Sequence, residues 1–298
     1  MPVSMELIDP FEVKGCNNRF AAKLRGVDLS LSIDIPTFDR IHQLWMKHPV
    51  LVFPDQTITD IQQIAFAKHF GDLEVHPSLA HRADDYPEIY RVSNVDKADR
   101  IMEPESSDWQ YLELTWLWHT DSSFRPVPSM ASILHGIEIP PVGGDTLFAD
   151  LTAAYEALPS HDRALVQKLR VVHDHEAILA KSKGLTERDD KGVYEHLPPV
   201  THPLVRRHPI TGRRSLFLSP HTMDKVEGMQ ASEGRELLNG LIAHASEDRF
   251  VYRHIWKAND VLMWDNRCTM HAVMPYDSIN HRRVMHRTTI VGEGPPTD

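Results

Sequence analysis

Two rhythms of apolar residues alternate along the chain. Phe38, Ile41, Leu44 and Trp45 recur at helical intervals behind Pro36, and this spacing predicts a helix over 36–48. A second helix is predicted over 59–70, opened by the capping-box pair Thr59 and Gln62 and stopped at Gly71. Residues 231–245 repeat the amphipathic spacing. Elsewhere the apolar runs are short, rich in β-branched and aromatic residues, and bounded by turn formers, which predicts strands. These cover 20–29 with a turn at Gly26, 50–53 stopped by Pro54, and then 88–92, 132–139, 145–148, 249–256, 260–264 and 283–291. Residues 116–124 have the same character and are expected to enter a strand. Thr211-Gly212 marks a hairpin between runs at 203–206 and 215–218. Two helices, at 151–158 and 161–169, interrupt the β pattern. Residues 96–110 lack periodicity and read as a mobile loop beside a site, and the charged stretch 181–192 as a lid or exposed loop. Short strands with turn punctuation and inserted helices predict a mainly β jelly roll of two sheets decorated by helices. No linker or repeat divides the chain, so one domain over 1–298 is expected. Its core strands would lie mainly in 116–150 and 200–291, with helical inserts at about 151–170 and 231–245.

Composition narrows the functional classes. At 41% hydrophobic and 25% charged residues the chain is ordinary for a globular protein. Its net charge of −10 argues against a nucleic-acid partner, which needs a basic face. It does not bar an anionic substrate, since a few arginines inside a cleft outweigh a mildly acidic exterior. Two cysteines, Cys16 and Cys268, build neither a disulfide framework nor a thiolate zinc site, so a reducing cytoplasmic setting is expected. No signal peptide or membrane-spanning run is visible, and no membrane partner is expected.

The chemistry concentrates in four clusters. In Trp118-His119-Thr120-Asp121, an extended backbone puts His119 and Asp121 two apart on one side, so that one nitrogen and one oxygen ligand converge. His119 is the one histidine of 19 in a His-x-Asp arrangement. Taken alone, the tripeptide is also compatible with a hydrogen-bonded pair at a strand end. The cluster from Trp264-Asp265-Asn266-Arg267 to His271 supplies a second imidazole. His119, Asp121 and His271 would then form a 2-His-1-carboxylate set, which leaves positions on Fe(II) open to substrate and oxygen. Gly143-Gly144-Asp145-Thr146 combines a closely turning backbone with a hydroxyl donor. In Arg282-Arg283-Val284-Met285-His286-Arg287, strand alternation sends Arg283 and Arg287 to one face. Two inward guanidiniums are costly in a β interior unless each meets an anion, and their forks suit carboxylate or sulfonate. Spacing alone also allows an edge strand with both arginines solvated or paired to acids. His173 and His175 likewise stand two apart, but no third ligand motif lies near them, and they read as part of a sheet.

These motifs, in this order, resemble the Fe(II)/α-ketoglutarate-dependent dioxygenases of the taurine and dichlorophenoxyacetate dioxygenase family. The resemblance runs from Val50-Leu51-Val52-Phe53 to Thr288-Thr289. It implies a double-stranded β-helix (cupin-like) core with His119, Asp121 and His271 on iron. It implies Thr146 and Arg283 on the distal carboxylate of α-ketoglutarate, O2 as second cosubstrate, and Arg287 on the acid group of a small anionic substrate. It also matches His76 to a substrate-contacting histidine of the taurine branch; without the resemblance, His76 beside a proline reads as an exposed loop residue. Asp121-Ser122-Ser123-Phe124 looks like the aryloxyacetate branch, whereas His76 and the arginine cluster look like the taurine branch. Hydroxylation beside an ether oxygen or sulfonate would end in C–O or C–S cleavage, and a homo-oligomer is expected. Two rival readings are a zinc-dependent hydrolase with the same three ligands and a non-catalytic jelly-roll binding protein.

Overall fold

The computed structural model describes residues 11–16, 20–75, 81–104, 106–175 and 197–298. His76 and the expected lid at 181–192 lie outside the described residues.

Short strands bounded by turns leave apolar side chains on both faces, and two sheets stacked between helices bury them. The larger sheet contains β1 (Glu12–Cys16), β2 (Ala21–Arg25), β3 (Val50–Phe53), β4 (Tyr90–Ser93), β5 (Ala131–Glu138), β13 (Val261–Asp265) and β15 (Val284–Ile290). Its order is β1-β2-β3-β13-β5-β15-β4, and every pairing is antiparallel except β2 with β3. Facing it is a smaller sheet in which β6 (Thr146–Asp150) lies between β12 (Val251–His254) and β14 (Thr269–Val273). The central strands β3 and β13 are buried along their whole length. Val50, Val52, Leu262 and Trp264 point into the space between the sheets, where they meet Phe148 and Tyr252 of the smaller one. Leu51, Phe53, Val261 and Met263 point the other way, against Ile41, Leu44, Trp45 and Phe66. Period-two alternation thus serves two cores at once. The two sheets and their packing give the jelly-roll core that the strand pattern predicted.

The helices fall close to the expected places. α1 (Ile35–Lys47) has proline in its first turn, and α2 (Asp60–Lys68) carries both halves of the capping box formed by Thr59 and Gln62. Buried Gln63 of α2 donates through Nε2 to the carbonyls of Ile133 (3.1 Å) and His286 (3.0 Å), pinning the helix onto β5 and β15. α4 (Leu151–Ala157), α5 (Ser160–Val166) and the helix Ala231–Ala245 lie beyond the smaller sheet. The hairpin flanking Thr211-Gly212 is β9 (Val205–Arg207) paired with β10 (Arg214–Leu216). His173 ends β7 (Arg170–His173), a sheet segment as read from the sequence. No helix among the described residues is long and apolar enough to cross a membrane.

Three expectations need correction. Residues 116–124 do not form a strand: a 3₁₀ turn at Leu114–Trp116 leads into extended backbone and then a turn, in which Ser122 has φ +53°. Side chains satisfy this backbone where a ladder would otherwise do so; Thr120 N–H, for example, donates to Ser219 Oγ at 3.2 Å. Residues 96–110 are not a uniform loop, because Ser106 caps α3 (Ser107–Glu113) by accepting from Trp109 N–H. The run at 249–256 begins as a 3₁₀ turn, Asp248–Phe250, before β12.

Phe148 is fully buried between the sheets, with ring centroids 5.4 Å from Trp264 and 6.0 Å from His271. Phe148→Ala should cost about 3–5 kcal/mol of stability by leaving a cavity there, read as a lowered denaturation midpoint with unchanged slope.

Candidate active site

The site begins with a turn. Between β13 and β14, both oxygens of Asp265 are engaged by Arg267 through Nε (2.9 Å) and Nη2 (2.8 Å), and His208 Nε2 lies 2.9 Å from Oδ2. Thr269 Oγ donates to the Asp265 carbonyl at 2.8 Å. This polar knot fixes the start of β14, and the pairing of His271 with Phe148 on β6 then fixes the imidazole. The segment carrying His119 is held to β14 by two reciprocal bonds: His119 N–H donates to the His271 carbonyl at 2.9 Å, and His271 N–H to the His119 carbonyl at 2.8 Å. Their rings lie 4.1 Å apart, centroid to centroid.

Protonation follows from the neighbours. His119 Nδ1 is 2.8 Å from the Leu117 carbonyl, an acceptor only, so Nδ1 carries the proton and Nε2 keeps its lone pair. Burial lowers the pKa of His119, and burial together with the nearby His119 lowers that of His271 further, so both rings are neutral. Burial alone would raise the pKa of Asp121. Arg287 outweighs it, aided by the Ser132 hydroxyl, and the carboxyl is held well below the usual carboxylate range. Arg287 Nη1 donates to Asp121 Oδ1 and Ser132 Oγ to Oδ2, both at 2.6 Å. Asn266 Nδ2 in turn donates to Ser132 Oγ at 3.0 Å and to Ser129 Oγ at 3.1 Å.

Among the described residues, His119, Asp121 and His271 are the group whose ligand atoms all lie within 4.8 Å of one another, and all three are buried. A buried anion facing two neutral imidazole lone pairs fits a divalent metal ion. The dicarboxylate cosubstrate is tested by Arg283. Its Nε donates to the Gly144 carbonyl at 3.2 Å, whereas its buried Nη2 has no partner. Burial outweighs the support of Tyr276 and Asp145 and pushes this guanidinium down to about 10. A carboxylate would satisfy it. The glycines beside it are required: at Gly143 (φ +79°) a Cβ would stand 2.5 Å from the Pro275 carbonyl, and at Gly144 (φ +70°) 3.2 Å from Arg283 Nε. Thr146, two residues on, is buried and accepts from Trp256 Nε1 at 2.9 Å.

The structure brings together His119, Asp121, His271 and Arg287, and sets Arg283 against the Gly-Gly turn that leads to Thr146. It revises one expected property of Arg287, which touches Asp121 directly and so is not reserved for an incoming acid; its buried Nε has no partner. His221 lies edge-on to His119 at 5.3 Å, and His254 Nε2 lies 3.0 Å from the Asp260 carboxylate. Sequence reasoning missed Ser132 and Asn266, which orient the carboxylate. A serine inside the apolar run of β5 was the available signal. It also missed Glu74, buried beside the site, which accepts from Ser122 Oγ at 2.6 Å and whose pKa burial raises.

Residues 12–289 match the family model described as taurine catabolism dioxygenase TauD, TfdA family. The chain is similar to an alpha-ketoglutarate-dependent 2,4-dichlorophenoxyacetate dioxygenase of Cupriavidus pinatubonensis, 37% identical across 92% of this chain and 95% of the relative. It is also similar to an (S)-phenoxypropionate/alpha-ketoglutarate-dioxygenase of Sphingobium herbicidovorans, 34% identical over 95% and 96% of the two chains. Among solved structures it resembles AAD-2 in complex with Mn(II) and N-oxalylglycine, with a TM-score of 0.86, 37% identity, and coverage of 96% of this chain and 100% of that one.

Ser132→Ala removes one of the two side-chain donors to Asp121. It should weaken metal affinity about 10–100-fold, measured by Mn(II) titration, while the unfolding midpoint stays near that of the parent.

Proposed function

The chain belongs to the taurine catabolism dioxygenase (TauD, TfdA) family, and from that premise we propose that its substrate is a small aryloxyalkanoate. It is an Fe(II)- and α-ketoglutarate-dependent dioxygenase that uses O2. In the proposed assignment His119 Nε2, Asp121 and His271 Nε2 hold the metal. When bound, Fe(II) couples decarboxylation of α-ketoglutarate, to succinate and CO2, with hydroxylation of a substrate C–H bond. The remaining roles belong to the protein. Leu117 holds the tautomer of His119 through its carbonyl. Ser132 and Arg287 hold Asp121 ionised and oriented. Arg283 and the Thr146 hydroxyl receive the distal carboxylate of α-ketoglutarate, satisfying the buried donor that now lacks a partner. Arg287 offers its remaining donors to the substrate's acid group and so sets which carbon faces the metal. Hydroxylation beside the ether oxygen gives a hemiacetal that loses the phenol and leaves the oxo acid.

One observation carries this reading. A neutral-His, ionised-Asp ligand set shares its interior with two buried arginines, each with an orphaned donor. A zinc hydrolase would use the three ligands but gives Arg283 no task. The named relatives favour the aryloxy acid over a sulfonate.

With Fe(II), α-ketoglutarate and O2, 2,4-dichlorophenoxyacetate and the 2-phenoxypropionate enantiomers should each be scored for succinate and phenol, beside taurine. Equal yields of phenol and succinate from an aryloxy acid are expected. Turnover with taurine alone would transfer the substrate to the sulfonates, and no succinate from any of them would sink the proposal. Arg283→Gln should raise the KM for α-ketoglutarate at least about tenfold, the equivalent of one charge-assisted hydrogen bond. Arg287→Ala should abolish substrate-stimulated succinate release and, because of its bond to Asp121, also weaken metal binding.

A further inference from the structure

A second set of cations lies away from the metal ligands, where β9 meets the stretch 292–297. Arg206 of β9 is only 5% exposed, yet its Nε and Nη1 are buried without a hydrogen-bond partner. Its guanidinium lies over the Phe217 ring, 5.0 Å from the centroid, so one flat face is covered. A guanidinium donates from its edge, and stacking leaves that edge available. The two nearby carboxylates give these atoms no hydrogen bond: Arg267 engages both oxygens of Asp265, and Glu293, half exposed, meets Arg267 through Oε2 at 3.1 Å. Burial, with repulsion from Arg267, outweighs the attraction of Asp265 and Glu293 and pushes Arg206 down to about 10. A buried cation whose neighbouring acids are committed elsewhere is unstable unless something else supplies the anion.

The space for it exists. Arg206 lines a cavity of about 210 Å³ that is also bounded by Arg207, Arg267, Pro295 and Thr297, with Glu293 as the one acid against three arginines. Arg207 N–H donates to the Thr297 carbonyl at 2.7 Å, so this stretch is fastened across the cavity. His119, Asp121, His271, Arg283 and Arg287 do not line it.

We propose that this cavity is a separate binding site for a small oxyanion, held edge-on by Arg206 with Arg207 at its rim. The ligand chemistry is two or more oxygens on one small centre, as in inorganic phosphate or the carboxylates of succinate. The fastened stretch limits it to that size. The proposal does not depend on the dioxygenase reading, although Arg267 also braces the turn that leads to His271.

Isothermal titration tests it on the full chain loaded with Mn(II) and N-oxalylglycine, which occupies the α-ketoglutarate position. Inorganic phosphate and succinate are titrated separately into the parent, Arg287→Met and Arg206→Met. Saturable binding of at least one anion should persist in Arg287→Met and fall at least about tenfold in Arg206→Met. The anion that binds identifies the source. Absence of saturable binding, or binding lost in Arg287→Met and kept in Arg206→Met, overturns the proposal. Should Arg206→Met fail to fold, selenate-soaked crystals of the parent decide. An anomalous peak within hydrogen-bond distance of Arg206 supports the site, and ordered water alone at that edge overturns it.

Discussion

Two backbone hydrogen bonds, exchanged between His119 and His271, are what the site depends on. The two residues are remote in sequence, and no continuous ladder joins them; their contact is an isolated bridge between β14 and a segment that is otherwise not in a sheet. Everything upstream of this contact exists to deliver one partner to the other. Antiparallel pairing with β6 and the Asp265–Arg267 knot fix β14. Thr120, whose hydroxyl is 2.9 Å from the Leu218 carbonyl and 3.0 Å from that of Thr269, fixes the opposing segment. Because the fold's long-range contacts bring His119, Asp121 and His271 together, the geometry of the site and tertiary stability draw on the same interactions.

The electrostatics are graded outward from that contact. Neutral imidazoles, one ionised carboxylate and one guanidinium share a dry interior, where an uncompensated charge is costly. Asp121 is compensated by Arg287 and Ser132, and Ser132 is itself held by Asn266. Arg283 is the exception, since Gly144 satisfies one donor and leaves another buried without a partner. The interior thus has an unpartnered guanidinium donor at one end and an ionised carboxylate beside two imidazoles at the other.

Much of this was legible from the residues. The apolar runs at β3 and β13 give away strands buried on both faces, and Thr59 with Gln62 marks the start of α2 almost to the residue. That His119, Asp121 and His271 would meet was legible from their residue types, with the strand around His119 misjudged. Aromatic and β-branched content in Trp116-Leu117-Trp118 favours extended backbone, but the turn through Asp121-Ser122-Ser123 is dictated by side-chain hydrogen bonds to distant residues, which local propensity does not encode. Strand β14 escaped for a related reason. It is polar at Thr269 and His271, and its burial becomes evident only once β6 lies beside it. Ser132 and Asn266 show the same limit, because small polar residues in a core acquire meaning from the partner they meet.

The last strand works on two sides. Met285 fills the space between the sheets and Arg287 reaches Asp121, while between them His286 faces outward and meets Asp60 of α2 at 2.6 Å. A slip of a single residue would exchange imidazole for guanidinium on both sides, breaking the helix contact and the carboxylate contact together. Such a strand has little freedom to drift. Divergence toward new substrates therefore has to be written in the connections around the site, leaving this strand as a fixed ruler against which those connections are measured.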